Sequence, residues 1–474
     1  MPYQIATRML GMFIIAKEKK FVAEFLGVGI DKIMTVDHHL AHAAAAYHVS
    51  PYNQEKALVL TLDAEGDFSC ATVNVFEKDK HQLLAATSRG NSIGWLFLYV
   101  TQYLGMKPME HEYKVMGLAP YAKLEHVNKL YEKIRNILTL DPTDSLKLKT
   151  KFNTYDSLHY LQKNMVGQRF DNIAGAFQKL FEERVTEWTA ESIKKTNLDT
   201  VIFSGGSFLN VKANQQIAAL PCLKRAFFMP SSGDESLPLG GCFLGYLRLL
   251  ENGQGPIIQP VTDIYWGMEY SDEEVKKFLA EGEYDRKYKI TRHDDIETEV
   301  AKLLAKSKIV ARLSGRMEWG ARALGNRSIL AHPQFPDAIR IINEQMKNRD
   351  FWMPFAPSIL EERLRDYCVV HKDITSPYMT ISHETTDLGK RELKAAMHPY
   401  DFTVRAQVVI RDWNPRYHHL IKCFEKETGI GGVLNTSFNL HGYPIVRGPK
   451  EAIHAFENSG LEYLALERYL IEKS

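Results

Sequence analysis

The run Asp37-His38-His39-Leu40-Ala41-His42-Ala43-Ala44-Ala45-Ala46-Tyr47 restricts this chain more than any other stretch. Alanine is the best helix former and Asp37 is a competent N-cap, so the run predicts a helix starting near His38. His38 and His42 then stand at i and i+4, and both imidazoles project from one face and can close on a single ion, while His39 points away. Two protein ligands do not hold a catalytic metal, so the fold must bring oxygens from elsewhere. Asp63 and Asp234 are the candidates, each at the end of an apolar run where a strand presents it at a sheet's edge. Histidines on an alanine-rich helix are also common as core residues bonded to backbone or water, and the rest of the chain has to decide between the two readings.

With 474 residues, 45% of them apolar, the chain can bury a large core, and its length suggests two or three domains. Fifty-nine basic residues against 58 acidic ones leave a net charge of +1, so no global field draws the protein to nucleic acid or membrane, and small molecules are the expected partners. Cysteines 70, 222, 242, 368 and 423 form no CxxC pair and no zinc-finger spacing, which reads as reduced thiols. No signal-type leader and no membrane-length apolar run is present, and the expected location is the cytoplasm.

Residues 1–36 read as a helix or two leading to a short strand at Lys32–Val36. Lys56–Asp63 is a continuous apolar run of strand length, buried on both faces. Ala71–Phe76 and Leu83–Thr87 flank a polar turn as a hairpin. A helix opens at Asn91–Trp95, Glu110–Tyr121 reads as a segment lining a cleft, and residues 123–198 read as a polar helical layer with one loop at Asp141–Ser145. Thr200–Ser204 is a buried strand, followed by the turn Gly205-Gly206 and a helix starting at Ser207-Phe208-Leu209-Asn210. Amides at such a helix start suit a phosphate or an adenosine, although the turn calls for glycine on steric grounds alone. Asp234 occupies another strand-to-helix edge.

Residues 251–256 form a Gly/Pro linker, which places a domain boundary near 255. Beyond it, the strand Lys308–Leu313 leads into Arg316, Arg322 and Arg327, three arginines in twelve residues interleaved with glycines. Guanidinium forks so arranged suit phosphate or carboxylate, and interface ion pairs are the competing use. Lys347 and Arg349 stand beside the aromatic and proline-rich wall Phe351–Pro357. The strand Gly432–Asn439 ends in Asn435, Thr436, Ser437 and Asn439, a row of polar groups denser than a turn requires.

Taken in order, these blocks resemble the carbamoyltransferase family typified by nodulation-factor and antibiotic O-carbamoyltransferases. The resemblance implies an α/β chain with two domains. Residues 1–255 would form an actin-like domain, similar to the universal tRNA-threonylcarbamoyl transferase subunit, and residues 256–474 a YrdC-like domain. Family members begin with further strands and a hairpin ahead of the HxxxH helix, so the actin-like domain is expected to be N-terminally incomplete.

By resemblance, His38, His42, Asp63 and Asp234 hold a divalent metal, implied to be iron, and Gly205, Gly206 and Asn210 meet the nucleotide. Arg322, Lys347 and Asn435 or Asn439 contact carbamoyl phosphate, with Arg316, Arg327, Arg349 and Ser437 as second choices. His38, His42, Arg322 and Lys347 would be the catalytic set. The implied reaction consumes ATP with Mg²⁺ to form carbamoyl adenylate and carries the carbamoyl group to a hydroxyl or amine of a small-molecule acceptor, a sugar or natural product. A homodimer is compatible with the sequence. The chain has Met353, Ala321 and Phe402 where the family usually carries Arg, Pro and Gly. Two other readings stay open: a scaffold that kept the fold without the chemistry, and a sugar-kinase-like phosphotransferase.

Overall fold

The computed structural model describes residues 16–250 and 256–473, apart from 348, 373 and 375. The architecture is mixed α/β, with a five-stranded sheet in the first half and an eight-stranded sheet in the second.

The first sheet comprises β1 (Lys56–Gly66), β2 (Ser69–Glu77), β3 (Lys80–Ser88), β4 (Thr200–Ser204) and β5 (Arg225–Phe228), in the order β3-β2-β1-β4-β5. β1 pairs antiparallel with β2 and parallel with β4, and β4 pairs parallel with β5. The apolar run of β1 is buried on both faces for the reason its sequence suggests. Leu58, Leu60 and Leu62 enter a core shared with Ile93–Tyr103 and Phe170–Thr196, while Ala57 and Val59 enter a second core made with the histidine helix. Strand alternation therefore sends odd-numbered residues of β1 toward that helix.

The histidine helix spans His38–Val49, and the Asp37 carboxylate accepts the Leu40 N–H at its start. It lies tight against Leu237–Leu249, because a Cβ on Gly240 would sit 1.9 Å from the Ala41 carbonyl oxygen.

The second sheet comprises β6 (Lys289–Arg292), β7 (Val310–Leu313), β8 (Arg327–Ala331), β9 (Ala356–Leu360), β10 (Gln407–Val409), β11 (Gly432–Ser437), β12 (Tyr463–Leu466) and β13 (Tyr469–Glu472). The order is β10-β9-β11-β8-β7-β12-β13-β6. It too has apolar layers on both faces: Leu330 enters one core, and its neighbours Ile329 and Ala331 the other.

The halves meet across a cleft. Lys212 pairs with Asp401, Lys114 lies 2.9 Å from Asp350, His398 Nε2 lies 2.9 Å from the Gly117 carbonyl, and the Asn214 amide donates to the Thr380 carbonyl at 2.8 Å. The segment Glu112–Tyr121, a helix and a 3-10 turn, borders this cleft.

Three local expectations change. Lys32–Val36 is no strand: Ile30–Lys32 is a 3-10 turn followed by irregular chain. The loop expected at Asp141–Ser145 is the tip of a hairpin, Leu138–Asp141 with Asp144–Thr150, whose alternating leucines pack on the helical layer. The helix after Gly205-Gly206 begins at Val211, because Asn210 serves as its cap. Helical chain covers 16–26, whereas the earlier part of the expected N-terminal helices and nearly all of the 251–256 linker lie outside the described residues.

Candidate metal group and cationic cleft

Parallel pairing gathers the carboxyl ends of β1, β4 and β5 at one edge, where open α/β sheets bind ligands. Asp63 stands near the carboxyl end of β1, which runs on through a bulge to Gly66, and on the odd-numbered face, toward His38 and His42. Gly205, at φ +100, follows β4. A Cβ there would lie 2.3 Å from the Leu62 carbonyl oxygen, so only glycine fits. The Gly206 N–H donates to Asp63 Oδ2 at 3.0 Å, and the Ala64 N–H to Oδ1 at 2.6 Å. The chain leaving β5 delivers Asp234 to the same place.

Around this edge His42 Nε2 lies 3.1 Å from Asp63 Oδ2 and 3.5 Å from Asp234 Oδ1. His38 Nε2 lies 3.9 and 3.7 Å from the same two oxygens. Each of the four side chains offers a ligand atom within 4.8 Å of the others, a group able to hold a metal ion. Ligands about 2.1 Å from one ion lie within roughly 4.2 Å of each other, so little movement is needed. Both Nε2 atoms are buried and make no hydrogen bond, an arrangement that a cation would satisfy.

The remaining atoms are held. His42 Nδ1 meets Ser236 Oγ at 3.0 Å, and the His38 N–H donates to Asp67. Gly66 leaves the room that the His38 ring fills. Burial opposes charge on His42, but Asp234 and Asp63 outweigh it and raise its pKa. Burial likewise opposes charge on Asp63, yet His38 and His42 hold its pKa far below the usual carboxylate range. His39 turns to the sheet, bonding Thr61 Oγ1 at 2.8 Å, and burial lowers its pKa.

Asn210 does not face this group with free atoms. Its side-chain Oδ1 accepts the Ala213 N–H at 3.1 Å and the Gln178 amide at 3.0 Å, and its Nδ2 donates to Gln178 Oε1 at 3.0 Å.

The second constellation lines the cleft. Arg322, Arg349 and Arg405 are half-buried, and among the described residues they make no hydrogen bond or ion pair; Arg349 lies over the Phe355 ring. Burial lowers the pKa of all three. Arg405 is lowered further by Arg322 and Arg349, and Arg349 by Arg322 despite the counter-effect of Tyr113. Lys347, at the end of the π-helical turn Asn343–Lys347, is lowered by burial and then by Arg349. Its ammonium donates to the Ser437 carbonyl, to Ser437 Oγ at 3.1 Å and to Asn439 Oδ1. Among the described residues none of these four cations forms an ion pair, and an anion would offset their mutual repulsion.

Asn435 is buried, donates to the Ala323 carbonyl and Ser358 Oγ at 3.0 Å each, and keeps Oδ1 without a partner. Ser437 and Asn439 serve Lys347 directly. Arg316 and Arg327 stand apart. Arg316 donates to the carbonyls of Trp266 and Gly267, and fully buried Arg327 to those of Met268, Ser314, Gly315, Asn326 and Arg447.

Arg405 was not among the sequence candidates. Its nearest signal is a lone arginine behind Asp401-Phe402-Thr403-Val404, and only the tertiary fold places it with Arg322 and Arg349.

One loop borders both constellations. Residues 231–236 carry Asp234 and Ser236 to the metal group, while a Cβ on Gly320, two residues before Arg322, would meet Ser231 Cβ at 2.9 Å. Glu235 is the carboxylate that raises Arg322 against the effect of burial.

A transferase with two ligand-handling regions is the class this geometry describes, and the comparisons agree. Residues 9–242 match the family described as carbamoyltransferase N-terminus, and residues 301–473 the carbamoyltransferase C-terminus. An uncharacterized protein of Methanocaldococcus jannaschii is 33% identical over 92% of this chain and 73% of its own length. The nodulation protein NolNO of Sinorhizobium fredii is 31% identical over 95% and 66%, and the 3'-hydroxymethylcephem-O-carbamoyltransferase of Amycolatopsis lactamdurans 29% over 60% and 51%. A crystal structure of full-length HypF in its phosphate- and nucleotide-bound form covers 47% of this chain and 37% of that one at 14% identity. Its TM-score of 0.29 is too low to carry an argument. The chain belongs to the carbamoyltransferase family and is a carbamoyltransferase.

Among the described residues no helix is long and apolar enough to cross a membrane, and the five cysteines are free.

Proposed function

We propose that the chain is an ATP-dependent carbamoyltransferase in which residues 256–474 activate carbamoyl phosphate and residues 1–255 carry out transfer to an acceptor hydroxyl. The observation that carries this reading is the 231–236 loop, which bears Asp234 and Ser236 of the metal group and, through Ser231 against Gly320 and Glu235 beside Arg322, borders the cationic cleft.

In this reading Arg322, Arg349 and Arg405 take the phosphate dianion, whose charge offsets the repulsion they show without it. Lys347, held by Ser437 and Asn439, adds an ammonium whose charge, opposed by burial and Arg349, the dianion favours, and the unpartnered Oδ1 of Asn435 accepts a carbamoyl N–H. Carbamoyl phosphate yields carbamate and phosphate with one water. Carbamate then attacks the α-phosphorus of MgATP, releasing pyrophosphate and leaving carbamoyl adenylate. Buried Phe355, under the Arg349 guanidinium, is the part of the Phe351–Pro357 wall that would keep water from the labile carbamate.

The Gly205-Gly206 turn, at the carboxyl edge of β4 beside Asp63, is the proposed seat of the nucleotide half of the adenylate. His38, His42, Asp63 and Asp234 hold a divalent ion there, with iron suited to two imidazoles and two carboxylates. Such an ion supplies Lewis acidity to a carbonyl oxygen. The acceptor oxygen bonds to the carbamoyl carbon, its proton leaves to solvent or a carboxylate, and AMP departs. The hydroxymethyl group in the name of the cephem relative illustrates the acceptor chemistry, and a sugar or natural-product hydroxyl is the class proposed here.

Product analysis with carbamoyl phosphate, MgATP and a polyhydroxylated acceptor tests this. AMP and pyrophosphate are expected, and ADP as the nucleotide product would overturn the adenylate route.

A further inference from the structure

The loop that carries Arg322 closes on a buried carboxylate. Glu318 is 6% exposed, and its single oxygen Oε1 accepts the N–H groups of Leu324 at 2.8 Å, Asn326 at 2.8 Å and Arg327 at 3.1 Å. Among the described residues it forms no ion pair, although fully buried Arg327 follows the loop; that guanidinium is bonded to carbonyls instead. A buried carboxylate without a cation is costly unless backbone donors satisfy it, and three do so here. The carbonyls between these amides are fixed as well: that of Ala323 by Asn435, that of Leu324 by Gln407 and Tyr265, and that of Gly325 by Arg312. Glu318 is the only carboxylate in this clamp, and its charge is directed at the backbone, not at Arg322.

We infer that Glu318 is a positioning residue for donor binding. It folds residues 318–327 back on themselves so that Arg322 is held in the cationic cleft, where among the described residues it forms no ion pair. The inference rests on the reading of that cleft as the carbamoyl-phosphate site. A fixed guanidinium recognises a dianion without reorganising when the ligand arrives, whereas a loosened loop must be ordered at each binding event.

The test uses the full chain and carbamoyl-phosphate-dependent ATP–pyrophosphate exchange, with the variants E318A, E318Q and R322A. E318A should raise KM for carbamoyl phosphate about tenfold or more, and E318Q about threefold, because the amide oxygen still accepts but without charge. KM for ATP should rise less than KM for carbamoyl phosphate, because Glu318 acts on the loop that carries Arg322. If R322A raises KM for carbamoyl phosphate while both Glu318 variants keep the parental value, the inference fails and the donor-site reading stands. An equal rise of both KM values in E318Q would show general loosening and overturn it as well. If R322A also leaves KM unchanged, the donor-site reading fails and the inference with it. Should E318A not fold, E318Q alone decides.

Discussion

His42 Nε2 lies 3.1 Å from Asp63 Oδ2 and makes no hydrogen bond, while the other ring nitrogen is committed to Ser236 at 3.0 Å. The serine fixes the ring so that only Nε2 is free to bind an ion, the usual division of labour at a metal-binding histidine. Replacing His42 with Ala should reduce bound metal and abolish carbamoyl transfer, while carbamoyl-phosphate-dependent ATP–pyrophosphate exchange continues. Metal analysis and the two assays on one preparation check this, and loss of both activities in equal measure would argue against separate sites.

Two arginines of the second half should respond to truncation in opposite ways. Among the described residues Arg405 makes no hydrogen bond or ion pair, and it is repelled by Arg322 and Arg349, so Arg405→Ala should cost little stability while raising KM for carbamoyl phosphate about tenfold or more. Arg327 donates only to backbone carbonyls in the core, so Arg327→Ala should leave those acceptors unpaired and lower stability by about 3 kcal/mol or more. Urea denaturation of both variants beside the exchange assay separates the two roles. A stable Arg327→Ala protein with a raised donor KM would reverse the assignment.

The sequence makes the metal group legible because its signals are local. An i, i+4 pair on an alanine-rich helix and two carboxylates at strand ends need only the rule that parallel strands share a carboxyl edge, and β1, β4 and β5 obey it. The cationic cleft was only partly legible. Arg316, Arg322 and Arg327 look alike in sequence, and what separates them is which carbonyls fall within reach after folding. Arg405 carries no local pattern at all, and neither does the pairing of the Asn210 amide with Gln178 from a distant helix. Long-range packing, which leaves no periodicity, decided each of these.

Gly240 offers a test of how closely the metal group depends on helix packing. A Cβ at this position would lie 1.9 Å from the Ala41 carbonyl oxygen and 2.8 Å from Ala41 Cα, so any side chain must push the histidine helix away. Overpacking of this kind costs about 1–3 kcal/mol. Gly240→Val should therefore lower the melting temperature and weaken metal retention together, since Ala41 adjoins His42. Retained metal affinity in a destabilised protein would show that the four ligands tolerate a shift of the helix.

Acid sensitivity should come in part from two buried histidines that belong to neither constellation. Burial holds both His48 and His383 at a pKa of about 4, and the Nε2 atom of each is buried without a partner. In the unfolded chain the same groups titrate near 6.5. Above about pH 6.5 both are neutral in both states, and the folded protein has its full stability from them. As the pH falls below that value the unfolded chain takes up protons that the folded chain refuses. Stability then declines with a slope of up to about 1.4 kcal/mol per pH unit for each group. The decline from these groups levels off near pH 4, where the folded histidines protonate as well. His48 packs against Phe243 at 5.3 Å between ring centroids, so His48→Leu removes the titration while keeping an apolar contact. Melting temperatures recorded between pH 7 and pH 4.5 should fall less steeply for this variant than for the parent, and parallel curves would exclude His48 as a source of the acid sensitivity.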